Sequence, residues 1–257
     1  MSARNPVWNP EQYFRFADER LQPAIDLMGR IVHPGPAVVV DLGCGAGNAL
    51  PLLAGRFPGA AVSGVDGSTT MLARAAEGGF ATRQADIATW RPDAPVDVLF
   101  SNAALQWLPA HETLFPRLLS QVAPGGVLAV QMPAMDATPA RRLQREVAAE
   151  GPWATALAGA TASPSILEMG AYYRLLRPMV KRLDLWFTEY VHLLKGPDPV
   201  MQWFMGSSLQ PYVQALPEAL RPAYLAAYAD AVRPHYPAEA DGTVLFPFRR
   251  FFLMASL

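Results

Sequence analysis

The sequence predicts an α/β fold: one open, mostly parallel seven-stranded sheet with helices on both faces. The first observation behind this prediction is that short apolar runs, typical of buried strands, alternate with segments of helical periodicity. The second is a glycine-rich turn directly after the first apolar run, residues 37–40. Sheets of this kind bind ligands at the carboxyl ends of their strands, so the turn also marks a candidate site.

The predicted elements follow from these patterns in chain order. Strands are expected at 37–40, 61–65, 81–85, 96–101, 127–132, 182–194 and 249–255. Helices are expected at 11–32, 47–57, 69–76, 112–122, 139–150 and 166–177. Residues 151–165 are rich in small side chains and are expected to form a loop. Doubly wound sheets have this alternation.

The segment before the last strand does not fit a simple strand connection. Residues 196–247 are too many for a hairpin loop and contain several aromatic side chains. We expect two or three helices here, forming a helical cap inserted before the last strand. Residues 1–257 are therefore expected to be one domain, in which residues 1–34 form an N-terminal helix that closes the site.

Composition narrows the class of protein. The chain has 257 residues and a formal net charge of −1, with no basic stripe that would indicate nucleic acid or an anionic membrane. No run of about 20 apolar residues predicts a membrane span. The N-terminus has no apolar leader, and Cys44 is the only cysteine, so a cytoplasmic protein without a disulfide is expected. No cluster of ligand residues predicts a metal site.

The glycine-rich turn reads Asp41-Leu42-Gly43-Cys44-Gly45-Ala46-Gly47. Glycines let the chain turn sharply and bring its backbone close to a ligand. A dinucleotide site is the first alternative, but its G-x-G-x-x-G pattern would place a glycine where Asn48 stands. Asp41 also suits a cationic ligand better than a phosphate. A plain strand–turn–helix connection is the second alternative. Cys44 is expected to be a small filler in the turn.

Two further acids follow strand ends. Asp66 ends the second strand, where a carboxylate can accept hydrogen bonds from both hydroxyls of a ribose. Asp86 follows the third strand and can accept from an adenine amino group while Ile87 packs on the ring. The alternative for each acid is a helix N-cap, a role for which Gly67 and Ser68 compete with Asp66.

Taken in order, Asp41 to Gly47, Asp66, Asp86 and Asn102 resemble the class I S-adenosylmethionine-dependent methyltransferases, which have a Rossmann-like fold. The resemblance implies that Gly67, Met71, Asn102 and Ala103 also contact the cofactor. A narrower resemblance, to the trans-aconitate 2-methyltransferase family, runs nearly end to end. It rests on WNPEQY (8–13), ER (19–20), LQWLP (105–109), LAVQMP (128–133), PY (211–212) and FP (246–247).

This family transfers a methyl group from S-adenosylmethionine to a carboxylate of trans-aconitate, leaving S-adenosylhomocysteine and a monomethyl ester. The chain departs from the family at positions that matter for substrate. Gln22 and Gln210 stand where the family has arginines, and Ala134-Met135 replaces an Asp-Asn pair. Arginine binds carboxylates through a bidentate fork, so a less charged acid is an open alternative.

The resemblance and the position after the fourth strand favour Trp107, with Arg20 and Gln106, as catalytic residues. An indole N–H can hold an acceptor carboxylate. The candidates for the rest of the substrate are Tyr13, Gln22, Tyr212, Arg249 and Arg250. Adjacent Arg249 and Arg250 should point to opposite faces of their strand, so one of them is expected to face the pocket.

A carboxylate acceptor is ionised at pH 7 and needs no general base, which matches the lack of an obvious one. The four histidines are expected in loops or at element ends, and His111 is expected to be a surface residue. His111 is the candidate base for the alternative of a hydroxyl- or amine-methylating enzyme. The remaining alternative is a non-catalytic cofactor-binding protein. A small-molecule partner and a monomer or homodimer are expected.

Overall fold

The computed structural model describes residues 17–160 and 166–257, with side chains from residue 21 onward. In these ranges the strands are β1 Val38–Leu42, β2 Ala61–Asp66, β3 Ala81–Gln84, β4 Val96–Asn102, β5 Val122–Pro133, β6 Arg182–Leu194 and β7 Val244–Ser256. The α-helices are α1 Ala17–Arg30, α2 Leu50–Arg56, α3 Thr69–Glu77, α4 His111–Leu119, α5 Pro139–Ala149, α6 Ala154–Leu157, α7 Met169–Leu176, α8 Pro199–Met205, α9 Gln210–Ala215 and α10 Arg221–Val232.

The strands form one seven-stranded sheet in the order β3-β2-β1-β4-β5-β7-β6. Neighbours among β1 to β5 pair in parallel, whereas β7 pairs antiparallel with β5. The chain runs outward from β1 to β3 and then returns to β4 on the other side of β1. Right-handed crossovers in these two directions place their helices on opposite faces, which confirms the predicted α/β class. The reversal between β1 and β4 is the point where such sheets bind ligands.

Several boundaries differ from the prediction. β5 begins at Val122 rather than at 127, because Val96 pairs with Val122 and a register shift between Val96 and Val98 accommodates Pro124-Gly125-Gly126 within the strand. β7 begins at Val244 rather than at 249. The predicted loop 151–165 is wrong in part, since α6 forms there around buried Leu157. The segment 196–247 holds three α-helices, α8 to α10.

The chain divides into two compact units, each with its own core. The sheet unit comprises described residues 20–133, 166–188 and 250–257, and it contains β1 to β5. The cap unit comprises described residues 17–19, 134–160 and 189–249. No helix within residues 17–160 and 166–257 is long and apolar enough to cross a membrane.

The cap unit is built around aromatic side chains and a buried polar network. Trp203, Phe204 and Phe246 are buried in its core, where Phe246 packs edge-on against Phe204. The polar network centres on Gln144 of α5, which is fully buried. Its Oε1 accepts hydrogen bonds from Arg141 at 2.6 Å and from Ser208 at 3.1 Å. Its Nε2 donates to the hydroxyl of Tyr228 at 3.4 Å, and this hydroxyl donates to the Ala140 carbonyl at 3.0 Å. These polar groups therefore satisfy one another.

Candidate active site

The glycine-rich turn connects β1 to α2 and is anchored on the end of β2. The amides of Gly43 and Cys44 donate to the Val65 carbonyl at 2.7 and 3.1 Å. Gly43 and Gly45 have φ of 82° and 54°, a region that favours glycine. A Cβ on Gly43 would lie 2.2 Å from the Ala104 Cβ, whereas a Cβ on Gly45 would meet nothing within 4 Å. Gly43 is thus required by packing, and Gly45 borders open space that a ligand can enter.

Asp66 lies at the end of β2 and is tied to this turn. Its carboxylate accepts from the amide of Gly45 at 2.9 Å and from the amide of Ser68 at 2.8 Å. The N-cap of α3 is Ser68, whose hydroxyl accepts from the Met71 amide at 3.3 Å. Asp66 is therefore not the helix cap. A carboxylate offers about four acceptor positions, so two remain for a ligand.

Asp41 is the buried acid of the site. Only 3% of it is exposed, and its Oδ1 has no hydrogen-bond partner. Burial, and then the nearby charge of Asp66, raises the pKa of Asp41 to about 7. A cation beside this carboxyl would favour its ionised form. The same surroundings raise the pKa of the Cys44 thiol, with burial as the main cause, which suits a filler side chain rather than a nucleophile.

Asp86 and Ile87 occupy a turn after β3. The Asp86 carboxylate is exposed and accepts from the Ala88 amide at 2.9 Å. Arg117 of α4 fixes this turn by donating to the carbonyls of Ile87 and Trp90 at 2.7 and 2.8 Å. A Cβ on Gly43 would lie 3.2 Å from Ile87 Cδ1, so Ile87 lies beside the glycine-rich turn.

The turn after β4 is strained and held from two sides. Ala103 has φ of 53°, which is unfavourable by roughly 1–2 kcal/mol for a residue with a Cβ. Its amide donates to the Gln131 carbonyl at 2.9 Å, and its carbonyl accepts from Gln106 Nε2 at 2.7 Å. Backbone strain of this kind concentrates at functional sites. Gln106 is thereby placed as the residue that holds the turn on which Trp107 lies.

His111 differs from the prediction. It begins α4, is 4% exposed, and both ring nitrogens are engaged. Nδ1 contacts the Tyr172 hydroxyl, and Nε2 lies 2.9 Å from the Leu105 carbonyl. Burial lowers its pKa. The surface assignment was wrong because α7 supplies Tyr172 from a distant part of the sequence. His192 lies near the end of β6, as expected, where it is buried and stacks on Trp203.

The substrate candidates separate into four groups. Tyr13 and the side chain of Arg20 lie outside the described residues. Gln22 is exposed on α1 and donates to Asp26 at 2.8 Å, while Gln210, in the cap unit, donates to the Met205 carbonyl. Tyr212 is buried in the cap-unit core. Arg249 is exposed and Arg250 is 3% exposed, consistent with opposite faces of β7.

Sequence reasoning missed Gln131 as a site residue. It lies on β5 beside Asn102 of β4, and the two residues pair directly in the sheet. Gln131 is fully buried, and neither atom of its side-chain amide has a partner. Asn102 Oδ1 is also buried without a partner. The available signal was a glutamine within the otherwise apolar run VLAVQM at 127–132.

The residues present fit a bound S-adenosylmethionine. The open space at Gly45 admits a ligand against the backbone, and Asp41 Oδ1 and Asn102 Oδ1 are buried acceptors awaiting a donor. A cationic ligand with amino and hydroxyl groups supplies both the charge and the donors that these atoms lack. Such a ligand suits this carboxyl-lined turn better than a pyrophosphate does.

Comparisons with known proteins agree with this geometry. Residues 39–126 match the family model described as a methyltransferase domain. The chain is 47% identical over 252 residues to the trans-aconitate 2-methyltransferase of Azoarcus sp. (strain BH72), covering 97% of this chain and 99% of the relative. It is also 47% identical to the enzyme of that name from Paracidovorax citrulli (strain AAC00-1), covering 96% and 97%.

Solved structures support the fold. The phosphoethanolamine N-methyltransferase 2 of Haemonchus contortus, in complex with S-adenosyl-L-methionine, superposes with a TM-score of 0.57 at 13% identity. It covers 95% of this chain and 56% of the other. YjhP from E. coli superposes with a TM-score of 0.51 at 17% identity, covering 98% and 95%. With relatives this similar over nearly the whole length, the chain is an S-adenosylmethionine-dependent methyltransferase and belongs to the trans-aconitate 2-methyltransferase family.

Proposed function

We propose that this enzyme methylates a carboxylate of a small organic acid, such as trans-aconitate, to give its monomethyl ester. The observation that carries the proposal is the engagement of His111. Both of its ring nitrogens are bonded, so the one imidazole near the Trp107 turn in the described sheet unit does not serve as a base. A carboxylate needs none, because it is ionised at neutral pH. The names of the relatives support the same acceptor class.

In the proposed cofactor site, residues at the ends of the strands each contact a different part of S-adenosylmethionine. Asp66 accepts from the ribose hydroxyls, and Asp86 accepts from the adenine amino group while Ile87 packs on its ring. Asp41 and Asn102 hold the methionine end. The residues that shape the site around them are Gly43, Gly45, Gly67, Met71 and Ala103. When bound, S-adenosylmethionine supplies an electrophilic methyl group, and the protein's task is to position the acceptor and exclude water.

The acceptor half of the proposal is centred on Trp107. Its indole N–H donates to the carboxylate that receives the methyl group. Arg20 balances the charge of the acid, and Gln106 holds the turn in place through Ala103. Tyr13, Gln22, Tyr212, Arg249 and Arg250 remain the proposed contacts for the rest of the substrate. Residues 1–34 and 196–247 are proposed to close the site within a single domain of residues 1–257.

We further propose that the enzyme is cytoplasmic and acts as a monomer or homodimer without a nucleic-acid or membrane partner. The formal net charge of −1 supports the absence of a polyanionic partner, since a balanced overall charge does not attract one. Size-exclusion chromatography with light scattering would measure the oligomeric state. A tetramer or larger assembly would contradict this part of the proposal.

A panel of mono-, di- and tricarboxylic acids would test the acceptor class. Each acid is incubated with labelled S-adenosylmethionine, and the product is treated with alkali. We expect a base-labile methyl ester from at least one acid, and loss of S-adenosylhomocysteine binding in Asp66→Ala. An alkali-stable product from a phenol or an amine would instead assign the enzyme to hydroxyl or amine methylation. No binding of S-adenosylhomocysteine to the wild type would contradict the cofactor assignment.

A second experiment addresses the two glutamines at family arginine positions. If Gln22 faces the acid, Gln22→Arg should improve the use of trans-aconitate. Gln210→Arg removes the hydrogen bond to the Met205 carbonyl and is the weaker candidate. Unchanged kcat/KM for both variants would place these positions away from the acceptor.

A further inference from the structure

One face of the sheet carries a row of polar side chains at the carboxyl ends of its strands. Paired residues of neighbouring strands project from the same face. Asp41 pairs with Phe100, two residues before Asn102, and Asn102 pairs with Gln131. Pro133, two residues after Gln131 on β5, pairs with Arg250 of β7. Asp41, Asn102, Gln131 and Arg250 therefore share one face of the sheet unit.

α1 lies over the same face. Gln131 pairs with Phe252 of β7, and the Phe252 ring stacks on Trp186 at 4.8 Å. The guanidinium of Arg30, at the end of α1, lies 4.4 Å from the centre of the Trp186 ring. This stack covers Phe252, the β7 partner of Gln131, on the face that Gln131 shares.

The side-chain amide of Gln131 has no hydrogen-bond partner, although it is buried in a position that an apolar side chain would also fill. Its Nε2 and its Oε1 are both buried without a hydrogen bond, and the neighbouring Asn102 Oδ1 is in the same state. Almost all buried polar atoms of folded proteins are hydrogen-bonded, so an amide with both ends open requires an explanation. A ligand that arrives in the functional cycle supplies one.

Gln131 neighbours Asn102 but lies two strands from Asp41 and the glycine-rich turn. Asp41 and the glycine-rich turn lie on β1, and β4 stands between β1 and β5. At a strand spacing of about 4.8 Å, Gln131 is roughly 10 Å from the cofactor strand. Arg250 occupies the diagonal position on β7, within reach of the same ligand. An amide donor beside a buried cation is suited to a carboxylate.

We propose that Gln131 is an acceptor-binding residue, whose Nε2 donates to a carboxylate oxygen of the substrate while Arg250 supplies positive charge. Gln131 thereby selects acids at the methyl-transfer position. This inference rests on the proposed function, because it requires an acid as the acceptor.

Gln131→Leu tests the role with little change in shape. We expect the variant to unfold at a higher temperature than the wild type, because two unsatisfied buried atoms are removed. Its KM for the wild type's preferred acid should rise about 10- to 100-fold, as for the loss of a hydrogen bond to a charged group. Its affinity for S-adenosylhomocysteine should stay within about twofold, the scatter of such measurements for a residue outside the cofactor site.

Gln131→Glu places a carboxylate against the substrate's carboxylate and should weaken acid binding further, with partial recovery as the pH is lowered. The matched control is Gln121→Leu. Gln121 is also buried, but its Nε2 donates to the Trp90 carbonyl at 2.9 Å, and it precedes β5 at the opposite end of the strand. This control should be destabilised, with the KM for the acid unchanged.

Unchanged KM and kcat in Gln131→Leu would overturn the inference and make the amide structural. A parallel loss of S-adenosylhomocysteine binding would overturn it by assigning the amide to the cofactor. A wild type that methylates phenols or amines but no acid would overturn the proposed function itself, and this inference with it.

Discussion

The polar face of the sheet unit and the polar network of the cap unit differ in how their buried groups are satisfied. In the cap unit, Gln144 bonds to Arg141, Ser208 and Tyr228, so the network is closed. On the sheet, buried atoms of Asp41 and Gln131 have no partner. Burying a polar group is tolerated where bonds replace those to water. The difference teaches that the polar atoms of the cap network bond to one another, whereas the sheet face keeps hydrogen-bonding atoms that a ligand can satisfy.

The largest expected effect is a difference in folding stability between alanine variants of Gly43 and Gly45, two glycines of the same turn. Gly43→Ala should destabilise the protein by about 3 kcal/mol or more, because its Cβ would lie 2.2 Å from the Ala104 Cβ at a positive φ. Gly45→Ala should cost only about 1 kcal/mol, since its Cβ meets nothing, but should weaken S-adenosylhomocysteine binding about tenfold or more. Urea unfolding and calorimetry measure the two effects. Equal stabilities for both variants would remove the distinction between a packed and an open position.

The next effect concerns the closed network. Gln144→Leu should lower the free energy of unfolding by about 2–4 kcal/mol, because it removes the 2.6 Å hydrogen bond to the buried Arg141 guanidinium and the acceptor of Ser208. The control on the same helix is Arg142→Ala, which removes an exposed pair with Glu146 and should change stability by less than about 1 kcal/mol. Gln144→Leu thus contrasts with Gln131→Leu, which should stabilise. A Gln144→Leu variant as stable as the wild type would show that the polar network of the cap unit does not stabilise the fold.

The smallest effect is the pH dependence of Asp41. Its pKa of about 7 lies above the unfolded value of 3.8, so the folded protein binds this proton more tightly. This contribution to stability is present at low pH and is lost as the pH rises through about 4 to 7. A cationic cofactor needs the ionised form, so affinity for S-adenosylmethionine should rise between pH 6 and 8, by at most about tenfold per pH unit.

Calorimetry in two buffers of different ionisation enthalpy would measure the proton released on binding. Asp41→Asn should give a flat profile in the same pH range, since the variant lacks the carboxyl whose pKa is raised to about 7. A wild-type affinity that does not change from pH 6 to 8 would place the cofactor's positive charge away from Asp41.

The fold was predicted from local sequence patterns, and the structure has the strands and helices that these patterns indicated. The alternation of apolar runs and helical segments predicted the sheet, because each strand must be buried and each helix must cover it. The boundaries of β5 and the short helix α6 were wrong, since a register shift and a packed Leu157 depend on contacts far along the chain. Asp66 was correctly separated from the helix cap, as Ser68 takes that role.

The side chains proposed for the acceptor could not be predicted in the same way. Gln22 and Gln210 look alike in the sequence as substitutes for arginine, yet one bonds to Asp26 and the other to the Met205 carbonyl. His111 reads as a surface histidine, yet Tyr172 covers it. Only the packing of distant elements decides which polar atoms already have partners.

By itself, the sequence determined the sheet, the glycine-rich turn and the acids at the strand ends, because backbone conformation and strand-end position are local properties. The tertiary structure alone decided that Asp41 and Gln131 are buried with open hydrogen-bonding atoms, while Gln144 is buried with partners for both its amide oxygen and its amide nitrogen. Hydrogen-bond satisfaction depends on what surrounds an atom in three dimensions, and strands and helices distant in sequence supply those surroundings.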